Sequence, residues 1–179
     1  MDLRHRMMTS SAHFRSRVLF AAVLAAGVAQ TGSTAFAACP LELAVYGDAE
    51  RAAEIDFRPT GGSAVVTNTF KMVLDNGVVL DGIVMWTEGV ARPHGSLMYK
   101  CPTGDVTGDE LAACTLWEGV VYSADDKGNI ALLPAEGVDA PKTLIFPDLG
   151  PSLQMSAAYG ANGFSKVPWD VFSLKGCQE

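Results

Sequence analysis

Beyond residue 37 the chain contains a single histidine, His94, because His5 and His13 both precede that point. Chemistry that needs a base titrating near neutral pH must therefore use His94 or a perturbed carboxylate. There is no G-x-S-x-G elbow, no C-x-x-C pair and no glycine-rich phosphate loop, since Gly61-Gly62-Ser63 lacks both the spacing and the lysine. These absences remove the signatures of α/β-hydrolases, dithiol oxidoreductases and P-loop enzymes. Basic residues are scarce too. After residue 37 there are nine Lys and Arg against 19 Asp and Glu, a net charge of −10, and no two basic residues fall within six positions of each other. Duplex nucleic acid needs a clustered cationic stripe, and anionic lipid repels such a surface, so neither is an expected partner. The longest apolar run, Val18 to Ala29, spans 12 residues, well short of the roughly 20 that a membrane-crossing helix requires. No integral membrane span is expected.

What is present begins with an export signal. Arg4, Arg6, Arg15 and Arg17 form a positive leader, Val18 to Ala29 an apolar segment, and Ala35-Phe36-Ala37 an A-x-A cleavage site. Residues 1–37 therefore read as a signal peptide cleaved near Ala37/Ala38, leaving one exported domain, 38–179, in the periplasm or secreted. Four cysteines remain in it, Cys39, Cys101, Cys114 and Cys177, an even number that suits an oxidising space. Of three possible pairings, Cys101 with Cys114 closes a local loop and Cys39 with Cys177 clasps the chain ends, and this pair of disulfides is the expectation. Lipidation at Cys39 is disfavoured, because Phe36 stands three places before it where a branched apolar residue belongs.

From Leu41 onward, apolar residues recur at every second position between clusters of Gly, Pro, Asn and Asp, which is the pattern of strands and turns. Leu41 to Tyr46 and Ala53 to Arg58 read as a pair joined by Asp48 to Ala52, either a wide turn or one helical turn. Ala64 to Leu74 and Val78 to Trp86 read as a hairpin across Asp75-Asn76-Gly77, with a bulge expected at Asp81-Gly82. Ser96 to Cys101 is a further strand, and Thr107-Gly108-Asp109-Glu110 is a capping box that starts a short helix. Leu116 to Ser123 and Asn129 to Leu133 form a second hairpin, followed by fainter strands at Thr143 to Phe146, Leu153 to Ala158 and Trp169 to Leu174. The fold class is mainly β: a single antiparallel β-sandwich or partly closed barrel of nine or ten short strands with one short helix, stapled by disulfides.

Candidate sites are few. His94 and Ser96, two residues apart on an extended segment, would share a face as base and nucleophile, although no Asp is placed to orient the ring. Glu88 and Glu118 each follow a tryptophan and could serve as paired carboxylates for glycoside cleavage. Trp86, Trp117 and Trp169 read as strand residues whose rings pack the core, or alternatively as an exposed aromatic binding face. Ser123 to Ile130 resembles a calcium loop faintly, but Lys127 and Pro134 occupy ligand places, so it reads as a hairpin turn. One histidine and four oxidised cysteines leave no zinc set, and neither a metal nor a cofactor is expected. The leading reading is a binding or interaction module, more in keeping with a non-enzyme, for an envelope protein or ligand, with a cationic partner favoured electrostatically. The alternatives are a small periplasmic hydrolase using His94 with Ser96 or Glu88 with Glu118, and an assembly subunit associating through a strand edge.

Overall fold

Alternation along the chain sends every second side chain inward, and antiparallel pairing turns that alternation into a face. The computed structural model describes residues 39–62, 65–86, 92–161 and 163–178; the expected leader and Glu88 lie outside them. Ten antiparallel strands are described: β1 (Ala44–Asp48), β2 (Ala53–Arg58), β3 (Val66–Leu74), β4 (Val79–Trp86), β5 (Pro93–Met98), β6 (Thr115–Gly119), β7 (Tyr122–Ala124), β8 (Ile130–Leu132), β9 (Thr143–Ile145) and β10 (Val171–Cys177). All belong to one sheet, in the order β6-β5-β4-β3-β2-β1-β10-β9-β7-β8. The sandwich half of the expectation therefore falls: there is no second sheet among the described residues.

The sheet is curled into a half-barrel, and the chain shows why. Leu116 to Ser123, expected as one strand, divides into β6, which pairs with β5, and β7, which pairs with β9 and β8. Only Val120 and Val121 separate them, although they stand first and ninth in the sheet order. The two margins must therefore approach each other. Inside the curve Phe70, Phe146 and Trp117 pack ring to ring, with centroids 5.8 Å apart for Phe70 and Phe146 and 5.4 Å for Trp117 and Phe146. Tyr46, Phe57 and Phe172 continue this aromatic interior.

Both ends of the half-barrel are filled. At the end where β1 turns into β2, the helix α2 (Leu149–Met155) inserts Leu149 and Leu153, and the following loop adds Phe164, all fully buried. This replaces the expected strand at Leu153 to Ala158 and gives a second helix where one was expected. The cap of α2 is remote: the Asp170 carboxylate accepts from Asp148 N at 2.9 Å and Gly150 N at 3.3 Å. At the opposite end a 3-10 turn, Leu41–Leu43, buries Leu41 and replaces the first half of the expected opening strand. Segment 134–140 is strapped across it, with Leu41 N donating to Val138 O and Ala140 N to Cys39 O. The Cys39–Cys177 disulfide, with Cα atoms 5.7 Å apart, fastens that end to β10. Cys101–Cys114, at 5.2 Å, closes the loop around α1 (Gly108–Cys114), where Thr107 and Glu110 form the reciprocal capping box. Donors of Thr107, its backbone N–H foremost, hold the Glu110 carboxyl below its ordinary range.

Two turns follow their sequence signals. In Asp75-Asn76-Gly77 only Gly77 takes a positive φ, 81°, as Gly77 N donates to Leu74 O and Leu74 N to Val78 O. The hairpin crosses Asp75-Asn76-Gly77 as expected, as a three-residue loop. Asp48 to Ala52 is a wide turn held by the buried Asp48 carboxylate, which accepts from the backbone N–H groups of Glu50, Ala52 and Ala53. The bulge expected at Asp81-Gly82 is absent. Gly82 pairs in register with Phe70, and a Cβ at Gly82 would fall inside the Phe70 ring. The β3–β4 register shift lies instead between Val66 and Asn68.

Gly82→Ala is expected to lower stability by about 1–3 kcal/mol through overpacking, read as a fall in the urea midpoint, and Phe70→Leu in the same chain should recover part of it. Tyr46, fully buried and donating to Pro141 O at 2.9 Å, has its phenol pushed above the ordinary value of 10.0 by burial. The folded phenol holds its proton while the unfolded one ionises, so this contribution is intact below about pH 10 and is lost as pH rises further, at about 1.4 kcal/mol per pH unit. Alkaline unfolding curves of wild type and Tyr46→Phe should diverge accordingly, the variant showing the flatter loss.

Candidate functional site

The structure brings Ser96 and Glu118 together and places His94 on the same face. Ser96 lies opposite Glu118 in the β5–β6 register, and its hydroxyl donates to Glu118 Oε1 at 3.4 Å. Because β5 begins at Pro93, three residues before the strand expected from Ser96, His94 lies on it opposite Met85 of β4 and is half-buried two residues before Ser96 on the outer face. The pairing therefore joins a serine to a carboxylate across strands. The Glu88–Glu118 pair cannot be assembled, because Glu88 lies outside the described residues.

The three tryptophans separate. Trp117 meets the core expectation: it is 3% exposed and its Nε1 donates to Pro147 O at 2.8 Å. Trp86 and Trp169 do not, being 49% and 63% exposed, and Trp169 precedes β10 instead of lying on a strand. They also sit at opposite ends of the sheet. Trp86 terminates β4 at the end away from the Asp75–Gly77 turn, whereas Trp169 binds the turn end through Glu50. With β4 about 26 Å long, no single aromatic face contains all three.

Two surfaces that sequence reasoning missed emerge from the register. On the outer side of β10, β9, β7 and β8, Val171 lies opposite Ile145, Ile145 opposite Tyr122, and Tyr122 opposite Leu132. The row is apolar apart from the Tyr122 hydroxyl, which accepts from Arg92 Nη1 at 3.1 Å; Val171 is 49% and Leu132 36% exposed, and Ile130 on the same face of β8 is 58% exposed. It runs out at β8, which among the described residues pairs with β7 alone. Asp125 N donates to Asn129 O and Leu133 N to Val121 O, so Ala131 also faces β7, while the N–H groups of Ile130 and Leu132 turn outward. An alternation of strand residues was visible in the sequence, but not that four outward positions align.

The second surface is a groove of about 480 Å³ beside the Asp48 turn, lined by Gly47, Arg51, Glu54, Asp75, Ser173 and Lys175 among others. Gly47 sets its floor. A Cβ there would stand 2.7 Å from the Lys175 Cδ, so the glycine leaves the lysine stem room to cross β1 and pair with Glu54 on β2. In the Asp125–Gly128 turn, the Asp125 carboxylate is engaged by Lys127 N, Asn129 N and Asn129 Nδ2, as a hairpin turn requires.

No family model, curated protein or solved structure matches the chain. The two disulfides indicate an oxidising, extracytoplasmic environment. No helix among the described residues is long and apolar enough to cross a membrane.

Proposed function

We propose that this chain is an exported, non-catalytic binding module that works in the periplasm or as a secreted protein once residues 1–37 are removed, and that its partner is an envelope protein. The observation that carries this reading is the apolar row Val171–Ile145–Tyr122–Leu132 ending at the open edge of β8. A strand edge offers main-chain hydrogen bonds and an adjacent apolar row offers pockets for alternate side chains, the two ingredients of strand addition. Charge selects the partner. The turn leading into β8 carries Asp125 and Asp126, and the Asn129 side-chain donor first, then backbone donors, hold Asp125 below the usual carboxylate range, so it stays ionised. Glu136 and Asp139 follow β8 in sequence, and Lys127 and Arg92 are the nearby cations. An extended segment with apolar residues at alternate positions and Lys or Arg at its ends fits this edge, whereas a second copy of a domain carrying −10 is repelled. The hydrolase alternative draws support from the Ser96–Glu118 hydrogen bond alone.

The processed domain, immobilised and exposed to an envelope extract at low salt, should retain a component that Leu132→Lys releases and that rising salt weakens. Equal retention by wild type and Leu132→Lys, or hydrolytic activity abolished by His94→Ala, would contradict the reading.

A further inference from the structure

Trp169 is 63% exposed, and its Nε1 donates to Glu50 Oε1 at 3.0 Å. With its one polar atom engaged, what the indole presents to solvent is an apolar π face.

The surroundings define what could cover it. Glu50 stands between Ala49 and Arg51, both of which line the groove, and Lys166 ties the Glu50 carbonyl, at 3.1 Å, to groove-lining Asp75, at 3.6 Å. Trp169 is thus tied, through Glu50, to the turn whose residues Ala49 and Arg51 line the groove. The Asp48 carboxylate fixes the turn that carries Glu50 and Arg51, and holds Arg51 at a left-handed φ of 54°. Arg51 forms no ion pair among the described residues, so its guanidinium donors are available. The charges around the groove are mixed: Arg51, Lys166 and Lys175 against Asp48, Glu50, Glu54 and Asp75. An anion meets four carboxylates and a cation must compete with lysines already paired. A neutral ligand with both donors and acceptors meets neither penalty.

We propose that this corner is a saccharide site, in which a pyranose ring lays its apolar C–H face on Trp169 while its hydroxyl groups reach the Arg51 donors and the free carboxylate oxygens of Glu50 and Asp75. The hydroxyl group suits the mixture because it donates and accepts at once. The site is separate from the β8 edge and stands without it.

The test titrates the processed domain with cellotetraose and with the N-acetylglucosamine tetramer, each up to about 10 mM, following heat by calorimetry and tryptophan emission. At least one tetramer should bind saturably. Trp169→Ala should weaken that binding by about fivefold or more, with an unchanged urea midpoint showing that the fold is intact, and Trp86→Ala, at the far end of the sheet, should leave it as in wild type. Failure of both tetramers to bind, or a smaller loss in Trp169→Ala, overturns the proposal.

Discussion

Trp117 holds the sheet closed. It lies on β6, at one margin, and packs against Phe146 beyond β9 with ring centroids 5.4 Å apart, while its indole N–H reaches Pro147 O at 2.8 Å. In the sheet order β6 and β9 are separated by seven strand spacings, which in a flat sheet amounts to about 34 Å. Contact across that interval requires the sheet to curl fully enough to face itself. Strands are twisted by the sterics of L-residues, and about eight of them enclose an interior that side chains alone can fill. The aromatic set from Tyr46 to Phe172 fills it, and each ring pair contributes about 0.5–1.5 kcal/mol beyond area burial.

Curling sends function outward. Because the interior is occupied by rings and both ends are plugged by Leu149, Leu153 and Leu41, the lumen is not the place for a ligand. What remains is the convex face and the margins. There the β10–β9–β7–β8 register aligns apolar positions, and Gly47 lowers the floor of a groove next to the Asp48 turn. The disulfides act at the same level: one joins the two ends of the described chain across β1 and β10, the other ties the end of α1 back to the segment that follows β5. In the chain-entropy account, bridges of this kind stabilise by about 3–5 kcal/mol each, most for the long loop, which suits a domain that works unattended outside the cytosol.

Local signals were legible wherever the cause is local. Ala53 to Arg58 and the core face of Phe70, Met72 and Leu74 follow from alternation, the capping box from Thr107 and Glu110, and both disulfides from spacing and chain ends. The misses all have distant causes. The helix at Leu149 is only weakly announced, since Gly150 disfavours one and its cap comes from Asp170, 22 residues after Asp148. Gly82 resembles a bulge until the Phe70 ring is seen over it. The break at Val120 and Val121 exists because β6 and β7 find different partners, and pairing is not written in either segment. The candidate sites suffered in the same way: sharing of a face by His94 and Ser96 was readable, whereas Glu118 beside Ser96, and exposure of Trp86 and Trp169 but not Trp117, depend on register and end-to-end placement.

The closure itself can be observed directly. Proton NMR of residues 38–179 should give nuclear Overhauser contacts between the Trp117 and Phe146 rings, and between Gly95 and the Val121 methyls, since a Cβ at Gly95 would lie 2.9 Å from Val121 Cγ2. Both sets of contacts present is the result a self-facing sheet predicts. Intact β4–β5 cross-strand contacts with neither of these would mean an open sheet, and would contradict the account.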